Sequence, residues 1–401
     1  MRRGRHWRTQ LASAYHASAY LLLNTFLVLV ALTLVSAWAL PIRSYHEPIY
    51  SKHFNPKAYT RTPPDVVRET WREFDAMGER SSFRFHPWAV FSERPYSGRY
   101  VGVTRKGQRR TLPPVPGSPT AREVSVWTFG GSTLFGWGLP DSQTIPSHLQ
   151  RILQGKLGGT RVRVTNHGHA YWFSSMELAA MLARLRVDPR PDAIVFLDGL
   201  NDAVRLTAGQ DVPIFSEIAD QAWERERKRR YGATREEPWI QLNESFPLKR
   251  LADKLRRRLV GTRPSRPPSR FLRHSENPLT DALAEYRVNR AAIRAVGRAL
   301  GIPTHQFLQP TPFLRERKHP SAGPAPAPYR LLARFYAALL EEDFEGFHSI
   351  VDALEGVETP YLDRIHYGDE AAYRVAARIA EVLEPELRRA ASRTTPRRGA
   401  R

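Results

Sequence analysis

Cysteine is absent from the 401 residues, which excludes a disulfide scaffold and a thiolate metal site together. The absence suits either redox compartment, so it decides nothing about location. Lysine is scarce: of 61 basic residues, eight are Lys. The formal charge of +21 therefore comes from Arg scattered from the first residues to the last, alongside 32 Pro. A nucleic-acid-binding chain gathers its cations on one face and carries a recognisable motif. No such motif accompanies these arginines, so nucleic acid is not expected as a partner. A looser attraction to anionic headgroups or acidic polysaccharide fits the charge. No GxGxxG or P-loop Lys is present either, which leaves nucleotide binding without support.

What is there begins at the N-terminus. Arg2, Arg3, Arg5 and Arg8 precede an apolar run over 20–40, interrupted only by Asn24, Thr25, Thr33 and Ser36. About twenty such residues span a hydrocarbon core of roughly 30 Å. A basic flank stays in the cytoplasm. Residues 1–19 are thus expected as a basic cytoplasmic segment and 20–40 as a single-pass inner-membrane anchor, with everything later extracytoplasmic or periplasmic. A cleaved signal peptide is the rival reading, since Ala37-Trp38-Ala39 fits a small-x-small cleavage site. The run is longer than a usual signal core, which favours retention, and both readings export the rest.

Residues 41–120 are polar and Pro-rich with interspersed aromatics, among them Phe83, Phe85, Trp88, Phe91, Tyr96 and Tyr100. They read as a stem and accessory lobe, with a short hairpin over 100–111. From 121 to 390 strands alternate with helices. Apolar or alternating runs at 124–129, 161–165, 193–197 and 304–308 predict strands. Helical periodicity appears at 145–155 (begun at Asp141 or Ser142), at 174–187 (capped by Ser174 and Ser175), at 283–300 and from Asp369 onward. The rhythm predicts an α/β fold, a three-layer doubly wound parallel sheet preceded by one N-terminal transmembrane helix. Two charged or Pro-rich stretches, 204–280 and 314–328, read as surface insertions, and the basic tail 391–401 as unfolded.

In an open parallel sheet, ligands bind beyond the carboxyl ends of the strands. The residues that follow these strands are Ser132-Thr133, then Asn166-His167-Gly168, then Asp198 through Asp202. Asp363 and His366 come just before the last helix. A Ser becomes nucleophilic when a His takes its proton, and the His needs a carboxylate to fix its tautomer and stabilise its cation. Asp363 and His366 can meet across a single turn. The Asn201 amide and the Ser132 backbone N–H are suited to hold a developing oxyanion. His167 and His169 lack a third ligand at suitable spacing, so no metal or other cofactor is expected. Asp198 and Asp202 read as structural.

These blocks resemble the SGNH/GDSL hydrolase superfamily, a flavodoxin-like fold, over roughly residues 124–385. Phe129-Gly-Gly-Ser-Thr133 is similar to its first block, Asp198-Gly-Leu-Asn-Asp202 to its GxND block and Tyr361 through Tyr367 to its DxxH block. The resemblance implies Ser132 as nucleophile, His366 and Asp363 as its partners, and Asn201 as oxyanion donor. One block departs from the pattern. The family sets a Gly five residues after the Asn, and here that position is Tyr171. Either Tyr171 donates through its backbone N–H, its bulk narrowing the pocket, or the turn is remodelled and Gly168 donates.

Together these readings predict a serine esterase or deacylase acting on an O-acyl ester of a polysaccharide or lipid. The O-acetyl version is favoured by the resemblance to membrane-anchored relatives. The same triad suits an O-acyltransferase, and the fold without turnover would suit a carbohydrate-binding assembly factor. Trp88, Trp137, Tyr171 and Trp172 could stack on sugar rings in any of these roles, although packing is the commoner use of buried aromatics.

Overall fold

A computed structural model describes residues 3–39, 54–79, 83–116, 122–207, 213–231, 277–315 and 327–392. The chain divides into two compact units, Met1–Glu47 with Arg227–Pro267, and Pro48–Glu226 with Pro268–Arg401. In the first unit a helix runs over Arg3–Ala39. Its stretch Ser13–Val35, with mean hydropathy 2.1 and no part buried, is long and apolar enough to cross a membrane. It begins before the expected Tyr20 because 13–19 are small, aromatic or neutral and carry no acid or Arg.

The second unit is built on five parallel strands, labelled here with the four short strands that precede them. β1 (Phe83–His86) pairs antiparallel with β2 (Val90–Glu93), and β3 (Tyr96–Ser97) with β4 (Gly102–Val103). The main sheet comprises β5 (Val124–Gly130), β6 (Val162–Gly168), β7 (Ala193–Asp198), β8 (Thr304–Leu308) and β9 (Phe347–Ser349). Its order is β6-β5-β7-β8-β9, all parallel. The chain moves to one side of β5 and then returns past it to the other. That reversal opens a crevice at the carboxyl ends of β5 and β7.

Alternation along the buried strands sends side chains to two layers. Val124, Val126, Val195 and Leu197 join one core with the helices Ile145–Lys156 and Asp369–Ser392. Trp127, Phe129, Ile194 and Phe196 join another with the helix Ser174–Leu185. A third cluster, around Tyr286, Phe335 and Tyr336, fills the space between the helices Pro278–Leu300 and Ala327–Leu340. The three-layer, doubly wound architecture follows from this two-sided burial.

The described part of the expected stem and accessory lobe packs into the same body. Trp71, Phe74 and Met77, on the helix Pro64–Glu79, share a core with Leu139, Leu362 and Tyr367. The 103–109 turn bridges to β6 through Arg109, whose N–H donates to the Asn166 carbonyl at 3.1 Å. Arg109 is itself buried, with its Nε on Asp141 Oδ1 at 2.8 Å and its guanidinium 4.8 Å from the Phe135 ring centroid.

Two expected caps fall elsewhere. Thr144, after a short 3₁₀ turn at Asp141–Gln143, caps the helix Ile145–Lys156 by accepting from the Ser147 N–H. Phe173 stands at the cap of the next helix, because the Ser174 hydroxyl donates to Asp202 at 2.5 Å instead. The insertion 204–280 contributes one described helix beyond the strand–helix repeat, Pro213–Tyr231. The remainder of that insertion over 232–276, most of 314–328 and the tail over 393–401 lie outside the described residues.

Candidate active site

β5 ends in Gly130, Gly131 caps, and Ser132 opens a one-turn helix, Ser132–Phe135. Both glycines are needed for close approach. A Cβ on Gly130 would stand 2.7 Å from the Leu197 carbonyl oxygen, and one on Gly131 would overlap the Asn201 side-chain amide. The Ser132 carbonyl accepts from Gly136 N–H at 3.1 Å and Trp137 N–H at 3.0 Å, which turns the chain sharply and leaves the serine at the mouth of the crevice. As the first residue of a helix, its own N–H has no intrahelical acceptor.

The acid–base loop closes on itself. Tyr361 bridges Tyr367, and the Leu362 N–H donates to the His366 carbonyl at 2.7 Å. Within the loop, Asp363 Oδ1 accepts from the Ile365 and His366 N–H groups, both at 2.8 Å. Its Oδ2 lies 2.7 Å from His366 Nδ1. On the far side of the ring, His366 Nε2 lies 2.9 Å from Ser132 Oγ. Ser132 and His366 are 234 positions apart in sequence.

Burial pushes the Asp363 carboxyl up, but the His366 hydrogen bond and charge and the two backbone N–H groups outweigh it, holding it at about 2. An ionised Asp363 accepts, so Nδ1 carries the ring proton and Nε2 presents its lone pair to the serine hydroxyl. That tautomer is inferred from the hydrogen-bond network.

The loop is anchored from several directions. Tyr367 donates to the Pro310 carbonyl at 2.6 Å, and Gly368 N–H to the Pro360 carbonyl at 2.8 Å. Asp369, just beyond, accepts from Thr60 N–H, Arg61 N–H and the Thr62 hydroxyl at 2.8–2.9 Å. The strap over 54–62 also reaches the nucleophile's loop, where the Tyr59 hydroxyl donates to the Gly138 carbonyl at 2.7 Å.

Asn201 stands beside Ser132 at the end of β7, in the helix Leu200–Thr207. One Nδ2 hydrogen goes to the Trp172 carbonyl at 2.6 Å, and Asn201 lines the crevice together with Gly131, Ser132, Thr133 and Gln309. Gly168 is differently employed. Its N–H donates to Asn166 Oδ1 at 2.8 Å, and a Cβ there would sit 2.6 Å from the Phe135 N. It backs the nucleophile's helix and leaves no donor for the crevice.

Tyr171 occupies the third place of a turn over 169–172, closed by Trp172 N–H on the His169 carbonyl at 3.3 Å. Its φ is +65°. A turn with positive φ only at this place has the type II pattern, which favours Gly. A bulky side chain there costs about 1–2 kcal/mol, so the surroundings must hold the conformation.

Behind Asn201 lie buried carboxyls. Asp202 accepts from the Ser174 hydroxyl and N–H. Asp198 accepts from the Tyr286 hydroxyl. Burial, with Asp202 beside it, raises Asp198 to about 7 against the opposing pull of Tyr286 and Arg290. Glu177, fully buried, is raised well above the carboxylate range by burial and by both aspartates. His167 stacks on Phe129 at 4.8 Å, and burial drives its pKa far down. His169 bonds to Glu93. Among the described residues no group of three or more such side chains is arranged to hold a metal ion.

Sequence reasoning singled out Ser132, Asp363, His366 and Asn201, and these four lie together. It did not single out Glu93, which closes β2 and has no local signal. No family model and no curated protein matches the chain. Among solved structures it is similar to TesA, at 18% identity over 65% of this chain and 99% of that one, with a TM-score of 0.36. It is also similar to a putative arylesterase from Agrobacterium tumefaciens str. C58, at 15% identity over 65% and 99%, TM-score 0.31. A putative lipolytic protein of the G-D-S-L family from Desulfitobacterium hafniense DCB-2 gives 12% identity over 66% and 98%, TM-score 0.31. At these scores the likeness says nothing about the reaction.

Proposed function

We propose that this chain is an SGNH-type serine esterase or deacylase that forms an acyl-enzyme on Ser132. The observation that carries the reading is the continuous hydrogen-bonded line from Asp363 through His366 to Ser132, at 2.7 and 2.9 Å. In this reading His366 Nε2 takes the hydroxyl proton as Ser132 Oγ attacks an ester carbonyl. Asp363 stays ionised and stabilises the imidazolium. Negative charge develops on the carbonyl oxygen, facing the Ser132 N–H, the Asn201 amide and the Tyr171 N–H. Collapse expels the alcohol, protonated by His366, and leaves the acyl group on Ser132. Water activated by His366 then releases the acid, and a sugar hydroxyl in its place would make the step a transfer.

The substrate we propose is an O-acyl, chiefly O-acetyl, ester of a polysaccharide or lipid outside the cytoplasm. Support for the location comes from the apolar helix Ser13–Val35 behind an Arg-rich start. Labelling membranes that carry the full chain with a fluorophosphonate tests the nucleophile. The wild type is expected to label, and Ser132→Ala and His366→Ala are expected to lose the label. Undiminished labelling of Ser132→Ala would overturn the assignment.

A further inference from the structure

The strained turn over 169–172 has no obvious reason to persist, since Tyr171 holds a conformation suited to Gly. Its supports come from the hairpin of β1 and β2, outside the main sheet. The Glu93 carboxylate divides between two groups of the turn. Oε1 accepts the Ala170 N–H at 2.7 Å, and Oε2 takes the His169 Nδ1. Both side chains are buried, Glu93 completely and His169 with 5% of its side chain exposed. Two residues back on β2, the Phe91 carbonyl accepts from Trp172 Nε1 at 2.8 Å. The turn is pinned at its start as well, by His169 N–H on the Gly130 carbonyl at 3.0 Å, one residue before the cap of the nucleophile's helix.

These contacts bracket Tyr171. The residue before it is held by Glu93 through the Ala170 N–H, and the residue after it by Phe91 through the Trp172 indole. The Trp172 carbonyl in turn receives Asn201 Nδ2 at 2.6 Å. We infer that Glu93 is a positioning residue for the oxyanion site, acting through Ala170 and His169 on the turn that carries the Tyr171 N–H and, through that turn's Trp172 carbonyl, on the Asn201 amide. The inference rests on the reading of Ser132 as nucleophile. A buried carboxylate is costly unless its oxygens are hydrogen-bonded. Here both oxygens are satisfied by the one turn that leads into the crevice. A Glu 39 positions before the nucleophile thereby controls donors 78 and 108 positions after itself.

The test uses the full chain in detergent micelles, measuring p-nitrophenyl acetate turnover and the rate of fluorophosphonate labelling. Glu93→Ala is expected to lower kcat and the labelling rate by about ten- to a hundredfold, with KM nearly unchanged. That is less than the about hundred- to thousandfold cost of deleting a donor outright. Glu93→Gln keeps an acceptor for the Ala170 N–H, so it is expected to restore most of the lost rate. If the alanine variant fails to fold, Glu93→Asp, whose shorter side chain draws the carboxylate back from the Ala170 N–H, takes its place and is expected to lower kcat in the same direction. Glu93→Ala, or Glu93→Asp in its place, folding with lowered thermal stability but wild-type kcat and labelling would overturn the inference and leave the nucleophile standing. Labelling of Ser132→Ala at the wild-type rate would remove the reading itself, and the inference with it.

Discussion

Two histidine–carboxylate pairs sit near opposite ends of one sheet. Beyond the carboxyl ends, His366 bridges Asp363 and the Ser132 hydroxyl. Near the amino end of β8, His305 bridges Glu386, at 2.8 Å, and His348, at 3.1 Å. The first joins a loop to the nucleophile's short helix, and the second joins β8 and β9 to the C-terminal helix. Only the first ends on a hydroxyl with amide donors around it. The second ends on another imidazole, which burial and the neighbouring His305 push down to about 4. A His beside a carboxylate is therefore no mark of a reaction centre. The mark is what the far nitrogen faces and whether donors wait for the charge that forms there.

The sharpest way to break the contrast is to empty each pair in turn. His366→Ala is expected to cut kcat by about 10⁴-fold or more, whereas His305→Ala leaves kcat unchanged. Steady-state ester hydrolysis measures both, and comparable losses would dissolve the distinction. Asp363→Asn follows, with a loss of about 10³–10⁴-fold, because the amide cannot hold the Nδ1–H tautomer as a carboxylate does. Asn201→Ala comes next, at about 10²–10³-fold in kcat with KM nearly unchanged. A loss confined to KM would mean that Asn201 binds substrate without sensing the transition state.

The smallest effect separates the two pairs by pH. His348 has a folded pKa of about 4, below its ordinary 6.5. Between those values the unfolded chain takes up a proton that the folded chain refuses. Its neutrality thus costs stability progressively as pH falls from 6.5 to 4. Asp363, at about 2 against 3.8, favours the folded state fully above 3.8, and this is lost as pH falls through 2. Thermal melts across pH should show His348→Gln flattening the upper window and Asp363→Asn the lower one. Exchanged windows would contradict the geometry of both pairs.

Much of this rim was legible because its parts are local. Strands such as Ala193–Asp198 are unbroken apolar runs, and each candidate residue follows one of them or sits in a turn that closes over three positions. The caps were misread because Asp, Ser and Thr crowd together before the helix Ile145–Lys156, and only packing chooses Thr144. Ser174 looks like a cap, yet tertiary contact draws its hydroxyl to Asp202. The helix Pro64–Glu79 falls within the stretch read as stem and accessory lobe, since a Pro-rich approach hides the core that its Trp71 and Phe74 enter. Glu93 was out of reach altogether. Its partners lie 76 and 77 positions away, and nothing local distinguishes it from a solvated acid.

The most direct measurement is to trap the acyl group. The full chain, mixed with a slowly hydrolysed ester and quenched in acid, is digested and mapped by mass spectrometry. One acylated peptide is expected, carrying the group on Ser132 and disappearing in His366→Ala. An acyl group on another residue, or one on Ser132 that forms as fast without the imidazole, would contradict the account.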